Sequence, residues 1–159
     1  MQPQKDRKGS GPKRPKKGTS GKPTLKTPAE EPTWYNRRDG GMSGFSIEEV
    51  RSCARGRLYS INARGKKVSI LFLHHALERV QKWSLAEEQV LETLLFPEEV
   101  VTGHGKRYIA HRRYEGSHLV RAIYEYDGST PVLVTVYFPY AERYFQGGEV
   151  FEDKILERG

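Results

Sequence analysis

The chain has 159 residues, room for one domain with tails, and its central stretch of about 90 residues is enough to fold alone. The net charge of +7 is unevenly spread: of 27 Lys+Arg and 20 Asp+Glu, residues 1–41 hold 11 and 4, so the remainder carries 16 of each. The single cysteine, Cys53, excludes an intramolecular disulfide and fits a reducing cytoplasm, and no apolar run is long enough to span a membrane.

Residues 1–41 are built of Lys, Pro, Gly, Ser and Thr with almost no aliphatic side chains. Such a segment cannot bury enough surface to offset its ordering entropy, so it reads as a disordered basic tail. Lys13-Arg14-Pro15-Lys16-Lys17 can lie along nucleic-acid phosphates and release counterions. The alternatives are a solubilising extension or a start at Met42. The tail has no apolar core of the kind a secretory signal needs.

Residues 42–67 read as an extension of the domain that follows. Ser46 followed three residues on by Glu49 predicts a short helix over 46–55. A hairpin is expected over 57–72, turning at Ala63-Arg64-Gly65-Lys66. Cys53 lies between Arg51 and Arg55, a setting that favours a thiolate, yet a structural role is the commoner one for a lone cysteine.

From Val68 to Gly147 the spacing predicts one strand, two helices and three further strands. Val68 to Phe72 is the strand, and Leu73 to Trp83 is a helix with Leu73, Leu77 and Val80 at i, i+4 and i+7. Ser84-Leu85-Ala86-Glu87 has the form of a capping box opening a second helix with Val90, Leu91, Leu94 and Leu95 on its apolar stripe, ended by Pro97. A tight helix hairpin follows from that spacing. Past the Gly103-His104-Gly105 loop, Lys106–Glu115, His118–Tyr126 and Pro131–Phe138 alternate as strands, separated by turns at Glu115-Gly116-Ser117 and Asp127-Gly128-Ser129-Thr130. The expected fold is therefore α+β: a strand, a two-helix hairpin and a three-stranded antiparallel meander packed on the helices. Residues 148–159 form a C-terminal extension with a short exposed helix over 151–158.

The run Leu73-His74-His75-Ala76-Leu77-Glu78-Arg79-Val80, the second helix before a proline, and the later Leu119-Val120-Arg121-Ala122-Ile123-Tyr124 and Val134-Thr135-Val136-Tyr137 resemble a family of small bacterial and archaeal domains of unknown function. That family is in turn similar to the RelE/ParE toxins of toxin–antitoxin systems. The likeness covers residues 68–147. It implies a RelE/ParE-like domain that acts on RNA as a metal-independent endoribonuclease, with an antitoxin protein as partner. Some members of that group inhibit a protein target such as gyrase instead, so fold alone does not decide function.

Metal-independent cleavage of RNA needs a base for the 2′-hydroxyl, an acid for the leaving oxygen and cations around the phosphorane. His75 and Arg79, at i and i+4 of the first helix, are the pair that stands out in the family pattern. On the meander, if Val120, Ala122 and Tyr124 face the helices, Arg121 points to the open face, and Tyr137 joins it if Val132, Val134 and Val136 face in. His111 and Arg113 share a strand face opposite Arg112. His75, Arg79, His111, Arg113, Arg121 and Tyr137 are thus the catalytic candidates, and the open face would resemble the active surface of RelE-like nucleases. A register with Leu119 and Ile123 inside reverses Arg121. Lys106, Arg107, Arg112, Tyr140, Arg143 and Tyr144 are candidates for holding phosphates and stacking bases. The alternative is solvated surface charge, with tyrosines closing the edge of the core. A second cluster, Arg51, Arg55, Arg57, Arg64, Lys66 and Lys67, occupies a stretch without a carboxylate. The five histidines show no zinc-binding spacing and no phosphate loop or dinucleotide fingerprint occurs, so no metal or cofactor is expected. The other functional readings are a non-catalytic nucleic-acid-binding module and an inhibitor of a protein target.

Overall fold

Residues 44–158 are described in the computed structural model of the chain. The expected basic tail lies outside them. Three strands come first: β1 (Phe45–Cys53), β2 (Gly56–Ala63) and β3 (Lys66–Leu73). Helices α1 (His74–Lys82) and α2 (Glu87–Leu95) follow, then β4 (Glu99–Thr102), β5 (Tyr108–Tyr114), β6 (His118–Asp127) and β7 (Thr130–Tyr137). A single helical turn, α3 (Ala141–Tyr144), and a 3-10 turn at Ile155–Glu157 close the chain.

All seven strands join one mixed sheet in the order β1-β2-β3-β7-β6-β5-β4. This overturns the expected strand, helix hairpin and three-stranded meander. The last three strands are there, but they make up less than half of a larger sheet. The expected division at 67/68 cuts through β3, whose Lys66 and Lys67 pair with Ala63 and Asn62.

The helix expected over 46–55 is strand β1, antiparallel to β2 from Phe45↔Ala63 to Cys53↔Gly56 with a bulge at Glu48. The Ser-x-x-Glu spacing is a local signal, and cross-strand pairing outweighs it. β2 and β3 turn at Arg64 and Gly65, whose φ values of 53° and 83° suit a two-residue hairpin loop matched to the strand twist. β3 meets β7 in parallel at Leu71↔Val132 and Phe72↔Leu133, the one parallel contact that joins the two antiparallel halves. A long crossover is needed to make it, and α1 and α2 lie within that connection.

The helices do not form a tight hairpin. α1 packs on β7, whereas α2 packs on β5 and β6. The cap of α2 is also displaced from Ser84, which has φ 56°, to Ala86. Gln89 Oε1 accepts the Ala86 N–H at 2.9 Å, so the glutamine does the work expected of Glu87. Glu87 instead takes Arg57 Nη1 at 2.5 Å and the Tyr59 hydroxyl at 2.6 Å, tying β2 to the start of α2. Every residue from Gln89 to Leu95 is buried. Val90, Leu91, Leu94 and Leu95 each contribute on the order of 2 kcal/mol by leaving water.

The exposed helix expected over 151–158 is reduced to the 3-10 turn, because the backbone there pairs with β4. Val100 N–H donates to Val150 O at 2.7 Å, and Glu152 N–H donates to Val100 O at 2.9 Å. Asp153, buried, accepts the Tyr124 hydroxyl at 2.7 Å, the Tyr126 hydroxyl at 2.6 Å and Arg158 Nε at 2.8 Å, which fixes this segment to the sheet.

Candidate functional site

Alternation along β5 decides which side chains meet. Arg112 Nη1 donates to Phe96 O at 2.7 Å and the Tyr114 hydroxyl donates to Glu92 Oε1 at 2.5 Å, so these residues face α2. His111 and Arg113 therefore face the other way. Directly paired partners share a face, and the pairs Glu99↔His111, His111↔Arg121 and Arg121↔Tyr137 run across β4, β5, β6 and β7. Glu99, His111, Arg121 and Tyr137 form one row on the face away from α2.

The first three of these are hydrogen-bonded in series. Glu99 and His111 are both wholly buried, with Nδ1 and Oε2 2.6 Å apart. His111 Nε2 lies 2.9 Å from Arg121 Nη1. Arginine has only donors, so Nε2 accepts and Nδ1 carries the proton it gives to Glu99. Burial, and then the charge of Arg121, hold the imidazole below its ordinary pKa against the opposing hydrogen bond to Glu99. His111 is neutral at physiological pH and its one lone pair is taken. The expectation of an accessible His111 on an open face is corrected: the ring is a strut behind Arg121.

Glu99 also accepts backbone N–H groups from Gln146, at 2.8 Å to Oε2, and Gly148, at 2.9 Å to Oε1. One carboxylate thus holds both the histidine and the 146–148 loop. Arg121 continues the series outward, its guanidinium 4.2 Å from the Tyr144 ring centroid. Burial lowers its pKa, yet it pairs with no carboxylate among the described residues. It borders a cavity of about 300 Å³, walled by Trp83, Ile123, Tyr137, Phe138, Pro139 and Tyr144.

Trp83 ends α1 and brings that helix to the cavity. Arg79 and His75 stand at i−4 and i−8 from it, about 6 and 12 Å along the axis on the same side of the helix. Arg79 Nε is 3.4 Å from His75 Nε2, and Lys82 Nζ is 5.3 Å from the Trp83 ring centroid. Neither Arg79 nor Lys82 has a carboxylate partner among the described residues. Arg121 at the cavity, and Arg79 and Lys82 on the helix that carries its Trp83 wall, are thus three cations without a carboxylate partner among the described residues.

Of the other residues singled out in the sequence, Tyr137 and Tyr144 line the cavity. Arg113 shares the face but is bound by Glu98, at 3.0 Å from Nε and 3.5 Å from Nη2, and lies over Phe145. Burial raises the Glu98 pKa, and the hydrogen bonds and charge of Arg113 outweigh it to bring the carboxyl below its ordinary value. Arg112 is on the opposite face. Arg107 pairs with Glu125 at 3.1 Å, and with exposed Lys106 it sits at the far start of β5, about 13 Å along the strand from His111. Tyr140 is 57 % exposed and packs on His118 at 4.5 Å. Arg143 is exposed on α3. The second basic cluster is partly neutralised, Arg55 by Asp127, Arg57 by Glu87 and Lys67 by Glu48.

The row from Glu99 to Tyr137, together with α1, falls within a stretch that matches a known family model. A domain of unknown function, DUF4258, is found at residues 72–138. This agrees with the expected small domain of unknown function and carries no statement about RelE or ParE toxins. The DUF4258 domain begins at the end of β3, so β1, β2 and most of β3 precede it. No curated protein and no solved structure matches the chain. Every residue of the Glu99–His111–Arg121 series lies inside the DUF4258 domain, whereas the Tyr144 wall and the loop on Glu99 are supplied from beyond its end.

Among the described residues no group of three His, Cys, Asp or Glu side chains could hold a metal ion, and no helix is long and apolar enough to cross a membrane. Glu99 and Trp83 were not singled out as site residues by the sequence reading. Glu99 could have been noticed as an acid beginning the apolar run Val100-Val101, and Trp83 as the last residue on the side of α1 that bears His75 and Arg79.

Proposed function

We propose that this protein binds single-stranded RNA at the cleft between the end of α1 and Arg121. The observation that carries the reading is Arg121 itself: a half-buried guanidinium braced by a neutral histidine, without a carboxylate partner among the described residues, at the rim of an aromatic cavity. A cation in that state favours an anion that brings its own charge, and a phosphate diester meets the guanidinium fork in two-point geometry. Trp83, Tyr137 and Tyr144 offer faces on which unpaired bases stack, and Arg79 and Lys82 extend the positive surface along α1. Retardation of a labelled single-stranded RNA, measured across a salt series, tests this. Binding that weakens with salt, and whose salt dependence becomes shallower in an Arg79→Ala, Lys82→Ala double variant, supports the reading.

Metal-independent cleavage is a second reading, favoured by the His75–Arg79 pair on the same side of α1 as the cleft. The imidazole of His75 would take the 2′-hydroxyl proton as that oxygen attacks phosphorus, and Arg79 and Arg121 would stabilise the phosphorane as the 5′-oxygen leaves with a proton from solvent or a tyrosine. End-labelled RNA incubated in EDTA with the wild type and with His75→Ala separates the two readings: cutting lost in the variant supports cleavage, and intact RNA leaves binding alone.

A further inference from the structure

We propose that the cavity beside Arg121 is a binding site for one nucleotide, taking its phosphate on Arg121 and its base against the aromatic wall. The inference rests on the RNA-binding reading and specifies which unit of the strand is held. The cavity of about 300 Å³ lies at the small end of the range for ligand sites. It has room for a single monomer drawn out of the strand, and none for a stacked pair or a duplex.

Two kinds of group line it, and they answer the two halves of a nucleotide. Arg121 is the charged one, with Nη1 spent on His111 and no carboxylate among the described residues on the rest of its fork. Trp83, Tyr137, Phe138 and Tyr144 are flat apolar surfaces suited to a planar heterocycle. A simple carboxylate or an inorganic ion would leave these rings unused, and an apolar ligand would leave the guanidinium unpaired.

An unsatisfied polar atom marks the same place. Nε1 of the cavity residue Trp83 is buried without an acceptor among the described residues. Buried donors in folded proteins are nearly always paired, so an orphan on a cavity wall points to a ligand that supplies the acceptor. A phosphate oxygen or a base carbonyl beside the indole meets that need.

The test uses the full chain with Trp34→Phe, so that the one remaining indole N–H resonance is that of Trp83. Adenosine and uridine monophosphates are titrated, with inorganic phosphate and the free nucleosides as separate arms. The expected result is a saturable downfield shift of the Trp83 indole proton by the mononucleotides, with phosphate or nucleoside alone binding about tenfold more weakly or worse. Arg121→Lys, which keeps the charge and loses the fork, should weaken the mononucleotides by about tenfold. Tyr144→Ala, on the surface turn, should weaken them several-fold with folding intact. No shift up to ~10 mM mononucleotide, or equal shifts with nucleoside alone, overturns the inference. RNA retardation that persists while mononucleotides are silent rejects the pocket and leaves the RNA reading standing. Loss of both rejects both.

Discussion

His111 accepts a hydrogen bond from Arg121 at 2.9 Å while giving its own proton to Glu99 at 2.6 Å. A histidine engaged at both nitrogens has no free lone pair for substrate. Its part is to set where the guanidinium points, and Glu99 fixes which tautomer does so. Glu99→Gln tests this without touching the cleft. A glutamine oxygen can still accept the backbone N–H groups of the loop, but its amide nitrogen then faces His111 and favours the tautomer with the proton on Nε2, which repels Arg121. The expected outcome is a several-fold loss of RNA affinity with the same salt slope. His111→Ala, by contrast, leaves Glu99 buried without its side-chain donor and should cost about 2–4 kcal/mol in urea denaturation.

The same histidine predicts how stability responds to acid. Burial lowers the folded-state pKa of His111, and that of half-buried His118, below the ordinary value. The unfolded chain then binds protons more readily than the folded one, so stability is fully present above about pH 6.5 and is lost as pH falls from there through the folded values. One such group gives at most about 1.4 kcal/mol per pH unit. Urea midpoints measured from pH 8 to pH 5 should fall, and the fall should be smaller in His118→Gln. A midpoint that rises over this range contradicts the assignment.

Gly56 is the most tightly enclosed of the described glycines. A Cβ there would lie 1.9 Å from Phe72 O and 3.0 Å from Leu73 Cα, both backbone atoms that cannot step aside. Gly56→Ala should cost about 3 kcal/mol or more, because relief requires separating β2 from β3. Thermal melts report it directly. Gly65→Ala, in open space but at φ 83°, should cost only about 1 kcal/mol.

Much of the meander was legible in the sequence, and the sheet that contains it was not. Runs of alternating, valine- and tyrosine-rich sequence separated by the Gly116 and Gly128 turns marked Lys106–Glu115, His118–Tyr126 and Pro131–Phe138, within a few residues of β5, β6 and β7. The same rule put Arg121, Tyr137 and His111 on one face in one of two registers it left open, and the pairs His111↔Arg121 and Arg121↔Tyr137 select that one. β1 was misread because a nine-residue edge strand with mostly exposed side chains has little apolar alternation, which left a helix-cap spacing as its strongest local signal. The four-residue β4 gave too few residues to show a period, and with it Glu99 escaped notice. Parallel pairing of β3 with β7 joins residues about 60 apart in the chain, and nothing local announces such a contact. Charge was legible only as a count. Arg112, Arg113 and Arg121 look equivalent in sequence, and only the structure shows that the first two meet Glu92 and Glu98 while the third meets no carboxylate among the described residues.

That last contrast supplies the most direct measurement of the central claim: the affinity of single-stranded RNA for Arg121→Ala set beside Arg113→Ala, at one salt concentration, with folding of both verified by circular dichroism. Arg121 lines the cavity without a carboxylate partner among the described residues, and Arg113 is already held by Glu98. The account predicts that Arg121→Ala weakens binding by about tenfold or more while Arg113→Ala changes it by less than about twofold. Equal effects of the two substitutions, or none from Arg121→Ala, would contradict it.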